Sequence, residues 1–189
     1  MGISAGVGAL VSAFPLLQPE TLPFCLGILV FIALVNLRGV RESGLAFVVP
    51  TYLFVASLFM VLGIGIARVW SSGGHPAPVA APLEPQAATA TAGMWLLLRA
   101  FASGCTAMTG VEAVSNGVMV FREPSVKYAR RTLTVIVAIL ALLLAGIAYL
   151  AQAYGITATE PGQPGYQSVL SQMTVAVVGR GPFYFLTIG

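Results

Sequence analysis

The sequence predicts an all-α, polytopic membrane protein. Of its 189 residues, 58% are hydrophobic and only 8% are charged, whereas a soluble domain carries roughly a quarter charged residues. Several apolar runs approach or exceed the ~20 residues that a helix needs to cross a bilayer. The basic residues cluster in two short connections, so the net charge of +3 indicates membrane orientation and gives no reason to expect nucleic acid as a partner.

Apolar length and helix breakers divide the chain into spans and loops. Four full or nearly full spans are expected at residues 24–38, 44–70, 94–121 and 131–155, with partial spans at residues 1–14 and 168–189. Residues 71–92 are rich in Pro, Ala, Ser and Gly, which predicts a flexible extracellular loop. Both ends of the chain lie in apolar sequence, which predicts a fragment of a longer protein.

The distribution of charge predicts the orientation in the membrane. Two connections separated by two spans hold six basic residues: Arg38, Arg41, Arg122, Lys127, Arg130 and Arg131. The loops on the opposite side carry the acids Glu20, Glu84 and Glu160. The positive-inside rule therefore places residues 36–44 and 122–131 in the cytoplasm of a multi-pass plasma membrane protein. Contact of the basic residues with lipid phosphate is a second interpretation.

The candidate site is a polar segment, residues 106–117, inside the apolar run 94–121. Its carboxylate, Glu112, would cost about a few kcal/mol at bilayer depth, so it is expected to face a bundle interior and an ion or substrate path. Gly110 and Gly117 weaken the helix on either side of it, which favours a broken helix with open backbone groups at Gly110 and Val111.

If the helix is unbroken, the polar residues still point one way. Spacings of three and four residues then place Cys105, Thr109, Glu112 and Asn116 on one face. In either case the segment predicts half of a transport site.

Three sequence motifs resemble a known family. They are NLRGVRESG at residues 36–44 followed by VPTY at 49–52, LRAFASGCTAMTGVEAVSNG at 98–117, and ARRT at 129–132 after EP at 123–124. Together they resemble the amino acid–polyamine–organocation (APC) superfamily, most closely the KimA-type potassium importers of the KUP group. The resemblance implies a partial LeuT-like inverted-repeat bundle that runs from the end of core helix 3 to the start of core helix 8.

The resemblance also implies a function and a site. It implies a secondary importer of potassium, coupled to protons and working by alternating access, with Thr109 and Glu112 as cation ligands. The family's first-helix ligands would fall before Met1. No cofactor and no transition metal are implied, and a homodimer of the full-length protein is left open.

The chemistry of the two side chains suits a potassium ion, which needs several oxygen ligands in place of its water shell. Thr109 offers a hydroxyl and Glu112 a carboxylate, whose charge offsets part of the dehydration of the ion. Other interpretations are that Glu112 gates or positions the helix and that Thr109 bonds its own backbone. Three further residues are supporting candidates: Thr106, Ser115 and Asn116. Of these, Ser115 and Asn116 are expected to hold the half-helix against its neighbours.

Two other functions stay open on the same fold. One is an amino acid or polyamine permease, although Cys105 and Thr106 are small where such carriers often place a bulky aromatic. The other is a non-transporting scaffold or sensor. An enzyme is not expected, because the sequence has no Asp, its single His lies in a predicted loop, and its two cysteines lack metal-ligand spacing.

Overall fold

The computed structural model describes residues 2–37, 40–81, 93–107, 124–159 and 166–188, and the statements below concern these residues. Seven α-helices and one 3₁₀ helix follow one another in these ranges: α1 (Gly2–Ala13), the 3₁₀ helix (Pro15–Glu20), α2 (Thr21–Leu37), α3 (Val40–Ser71), α4 (Met94–Ala107), α5 (Ser125–Ala153), α6 (Val169–Val178) and α7 (Pro182–Ile188). They contain no strand. The predicted all-α class is confirmed.

Three of the described helical stretches are long and apolar enough to cross a membrane. They are Pro15–Val35, Val48–Ser71 and Ser125–Ala153. The α2 helix has an apolar surface that no other described part of the chain covers. Its large side chains Leu26, Val30 and Phe31 are all more than half exposed. An aqueous surface would not carry such a continuous apolar face, whereas lipid covers it without penalty.

Two helices begin inside the predicted cytoplasmic connections rather than after them. The α3 helix begins at Val40, and α5 begins at Ser125 within the predicted basic connection 122–131. The Pro124 carbonyl accepts hydrogen bonds from the N–H groups of Lys127 and Tyr128, at 3.1 and 3.3 Å, and so starts the α5 ladder. Lys, Arg and Ala all favour helix, so the α5 helix extends past the apolar segment into the charged one.

The chain divides into two units, each described here by itself. The first contains Met1–Gln86 and Gly146–Gly189, and the second contains Ala87–Ala145. In the first unit α1 contacts α2, α6 and α7, while α3 contacts the same three helices. Its core is apolar and fully buried at Val7, Val61, Leu150, Met173 and Val177.

Two glycines allow α3 and the last part of α5 to pack closely. A Cβ atom added at Gly65 would lie 2.5 Å from Leu150 Cδ1, and one added at Gly146 would lie 2.9 Å from Leu62 Cδ1. Each helix therefore places a leucine against a glycine of the other. This arrangement is typical of membrane helices, where small residues let backbones approach.

The partial span predicted at residues 168–189 contains two short helices, α6 and α7. Ser168 caps α6 by accepting a hydrogen bond from the N–H of Ser171, and Gly179 ends it with a φ of 84°, a conformation that favours glycine. The connection after α3 packs against this pair, since the N–H of Val79 donates to the Ala176 carbonyl at 2.8 Å. The rest of the predicted loop, residues 82–92, lies outside the described ranges.

Candidate functional site

Most of the predicted site lies outside the described residues. Seven of its members fall within residues 108–123, of which the structure describes nothing: Thr109, Gly110, Val111, Glu112, Ser115, Asn116 and Gly117. Thr106 lies in α4, and only its backbone is described. The described part of α4 leads directly into the segment and carries an exposed free thiol at Cys105. The assignment of Thr109 and Glu112 as ligands therefore stays a prediction.

The structure describes only part of the basic connections. Arg38 and Arg122 lie outside the described residues, and Arg41 lies in the first turn of α3, where its side chain is not described. The remaining basic residues of this set lie in the first two turns of α5 with exposed side chains: Lys127, Arg130 and Arg131. Their shared position on one helix is a consequence of the early start of α5.

A buried cluster of hydroxyl groups joins the two ends of the first unit. Ser12 Oγ donates to the Gly8 carbonyl at 2.8 Å and accepts from the N–H of Ser168 at 2.9 Å. Tyr184 Oη donates to the Ser12 carbonyl at 3.2 Å. Because its proton is used there, Ser171 Oγ is the donor in the 2.7 Å contact with Tyr184 Oη. We call Ser12, Ser171 and Tyr184 the hydroxyl cluster.

Gln172 extends this polar region toward the connection after α5. Its Nε2 group donates to the carbonyls of Thr157 and Gln167, each at 3.0 Å. Its Oε1 atom is buried and has no hydrogen-bond partner among the described residues. Thr159 Oγ1 donates to the Gln167 carbonyl at 2.7 Å and accepts from the N–H of the same residue at 3.1 Å. Thr157 and Thr159, at the beginning of this connection, are therefore held by hydrogen bonds to Gln172 in α6 and to Gln167 just before it.

The hydroxyl cluster connects α1, α6 and α7 through these hydrogen bonds. It consists of neutral groups, and the described ranges hold no group of three or more His, Cys, Asp or Glu that could bind a metal. Arg180 lies beside it, with its guanidinium carbon 5.7 Å from the centre of the Tyr184 ring, within cation–π range. The sequence analysis did not predict this cluster. The polar residues Ser171, Gln172 and Thr174 in an otherwise apolar helix could have indicated buried hydrogen bonds there.

Replacing Tyr184 by Phe is expected to destabilise the first unit by about 1–3 kcal/mol, because it leaves the buried Ser12 carbonyl and Ser171 hydroxyl without this partner. The measurement is the apparent melting temperature of the protein in detergent, expressed from the full open reading frame. Tyr149→Phe is the matched control, since the Tyr149 side chain is 44% exposed. Equal melting temperatures for the two variants would contradict the role of the cluster.

Comparison with known proteins agrees with this helical architecture. Residues 1–188 match the amino acid permease family, and the chain belongs to that family. The chain is therefore part of a protein of the amino acid permease family.

A curated relative is similar along the whole chain. It is the potassium transporter KimA of Bacillus subtilis (strain 168), which is 37% identical over 190 residues. The match covers 100% of this chain and 30% of the relative, so the chain spans less than a third of the length of that protein.

Proposed function

We propose that this chain contributes to a secondary active transporter that imports potassium by alternating access. The observation that carries the proposal is the 37% identity, sustained over the whole chain, with a protein named as a potassium transporter. The three long apolar helices provide the membrane setting that such a transporter needs. The basic connections, residues 36–44 and 122–131, face the cytoplasm of the plasma membrane in this proposal.

The cation ligands in this proposal are Thr109 and Glu112, with open backbone carbonyls around Gly110 and Val111. An ion passing through an apolar bundle must exchange its water for protein oxygens, and these residue types supply them. Gly117 marks the far end of the weakened stretch. Thr106, Ser115 and Asn116 support the two half-helices through hydrogen bonds to their neighbours.

Proton coupling follows from the same carboxylate. A protonated Glu112 is a weaker ligand for a cation than an ionised one, so a proton and a potassium ion compete for it. In an alternating-access cycle this competition links the movement of one ion to that of the other.

A second candidate is an amino acid permease, which the description of the matched family favours. The two substrates differ greatly in size. The small side chains of Cys105 and Thr106, one to two turns before Glu112, suit an ion better than an amino acid.

Uptake of labelled rubidium distinguishes the two functions. The full open reading frame is expressed in cells that lack other potassium importers, and a labelled amino acid panel is measured in parallel. We expect rubidium uptake that excess potassium suppresses and a protonophore abolishes, with no amino acid uptake. Amino acid uptake without rubidium uptake would replace the potassium proposal with the permease.

A further inference from the structure

The first two turns of α5 carry three cations on one face of the helix. Lys127, Arg130 and Arg131 follow a spacing of three and four residues, and Thr134 continues the same stripe one turn later. All three basic side chains are exposed. The described ranges of the second unit contain no Asp or Glu, so no carboxylate from them neutralises this charge. Over residues 122–131 the sequence holds four basic residues and one acid, Glu123.

These side chains line an open groove of about 640 Å³. Its lining is both cationic and apolar, because Val126 and Val135 lie beside the three charged residues. Val126 is 71% exposed and Val135 is 50% exposed. A ligand that fits this groove has an anionic part and an apolar part next to each other. Inorganic phosphate or a soluble organic anion would leave Val135 uncovered.

The length of α5 places the groove at the depth of lipid headgroups. After Arg131, residues 132–153 contain no charged side chain. These residues rise about 33 Å along the helix axis, which matches the ~30 Å thickness of the hydrocarbon core. The three cations therefore lie just outside the hydrocarbon region. Val135 lies about one turn inside its boundary, whereas Val126 precedes Lys127 and lies on the aqueous side of the cations.

We propose that this groove binds the headgroup of an anionic phospholipid. Lys127, Arg130 and Arg131 contact the phosphate, and Val135 contacts the first apolar part of the same lipid molecule. Guanidinium groups recognise phosphate oxygens in a two-pronged geometry, which a lysine cannot reproduce. In the predicted orientation this leaflet is the cytoplasmic one, whose anionic surface attracts basic segments next to the membrane.

The test measures lipid retention by the protein, expressed from its full open reading frame. The protein is reconstituted in discs that contain phosphatidylcholine and phosphatidylglycerol, extracted in neutral detergent and analysed by native mass spectrometry. Wild type is expected to retain phosphatidylglycerol in preference to phosphatidylcholine. Each single replacement, K127Q, R130Q or R131Q, should lower retention about fivefold, and the triple variant roughly a hundredfold.

Two further variants separate lipid binding from membrane orientation. R130K/R131K keeps the positive charge that sets topology but loses the guanidinium geometry, so it should insert normally and retain less phosphatidylglycerol than wild type. R68Q removes an exposed cation from the last turn of α3, far along the chain from the groove, and should retain lipid like wild type.

Five results would overturn the proposal. Three concern the variants: wild-type retention in the triple variant, a loss in R68Q as large as in the triple variant, and retention in R130K/R131K equal to wild type. A fourth is displacement of the lipid by soluble glycerol phosphate, which would assign the groove to a soluble anion. The fifth is no preference of the wild type between the two phospholipids, which is the result expected if an acidic protein segment binds there in place of lipid. The measurement needs no transport, so its outcome is independent of the potassium proposal.

Discussion

Replacement of Glu112 by Gln is expected to remove rubidium uptake at submillimolar rubidium while leaving membrane insertion unchanged. Removing one partner of a buried charged pair costs about 2–5 kcal/mol. That corresponds to a fall of roughly 30-fold or more in apparent affinity. Glutamine keeps the size and one carbonyl oxygen but loses the charge that offsets ion dehydration. The measurement is the concentration dependence of rubidium uptake.

The loss of rubidium uptake should depend on which oxygen ligand a substitution removes. Glu112→Asp keeps a carboxylate and should retain part of the uptake, whereas Thr109→Val loses one neutral ligand and should weaken uptake less than Glu112→Gln. Glu20→Gln is the matched control, because Glu20 is exposed and ends the 3₁₀ helix outside the predicted site. Undiminished uptake in Glu112→Gln would contradict the ligand role and assign the carboxylate a role in positioning the helix.

The helices that cross the membrane were the most predictable part of this chain. A run without charge such as residues 132–153 has few alternatives to a spanning helix, since lipid offers its backbone no hydrogen bonds. The starts of α3 and α5 were less predictable, because hydropathy marks where a helix enters lipid and gives no sign of how far it continues into water. The structure therefore places Lys127, Arg130 and Arg131 on a helix face, where the sequence predicts a connection.

Contacts between distant parts of the chain could not be predicted from the sequence. The hydroxyl cluster joins Ser12 to Tyr184, and no local pattern indicates that these two residues meet. The expected transport site is the opposite case, because Thr109 and Glu112 are identified by residue type, spacing and resemblance alone. Contacts such as the one between Ser12 and Tyr184 are found only from the three-dimensional structure. The ligand roles of Thr109 and Glu112 can be tested only by a transport experiment.

Replacement of Gly65 by Leu is expected to have the largest effect on stability among the described glycines. Its added Cβ atom alone would lie 2.5 Å from Leu150 Cδ1, 3.1 Å from Leu150 Cδ2 and 3.2 Å from Val177 Cγ2. Leu150 and Val177 are fully buried, so a shift of either side chain would disturb the packing of the core. Inserting atoms into such a contact costs typically about 1–3 kcal/mol. The apparent melting temperature of the protein in detergent should fall accordingly.

Gly63→Leu distinguishes this packing effect from the intrinsic preference of leucine for helix. Gly63 lies two residues earlier in α3, and a Cβ atom added there would meet no described atom within 4 Å. Leucine is favoured over glycine within a helix by about 0.8–1 kcal/mol, so this variant should melt at or above the wild-type temperature. The two substitutions are the same chemical change on one helix and should shift stability in opposite directions. If both raised the melting temperature, α3 and α5 could not cross as closely as Gly65 and Gly146 indicate.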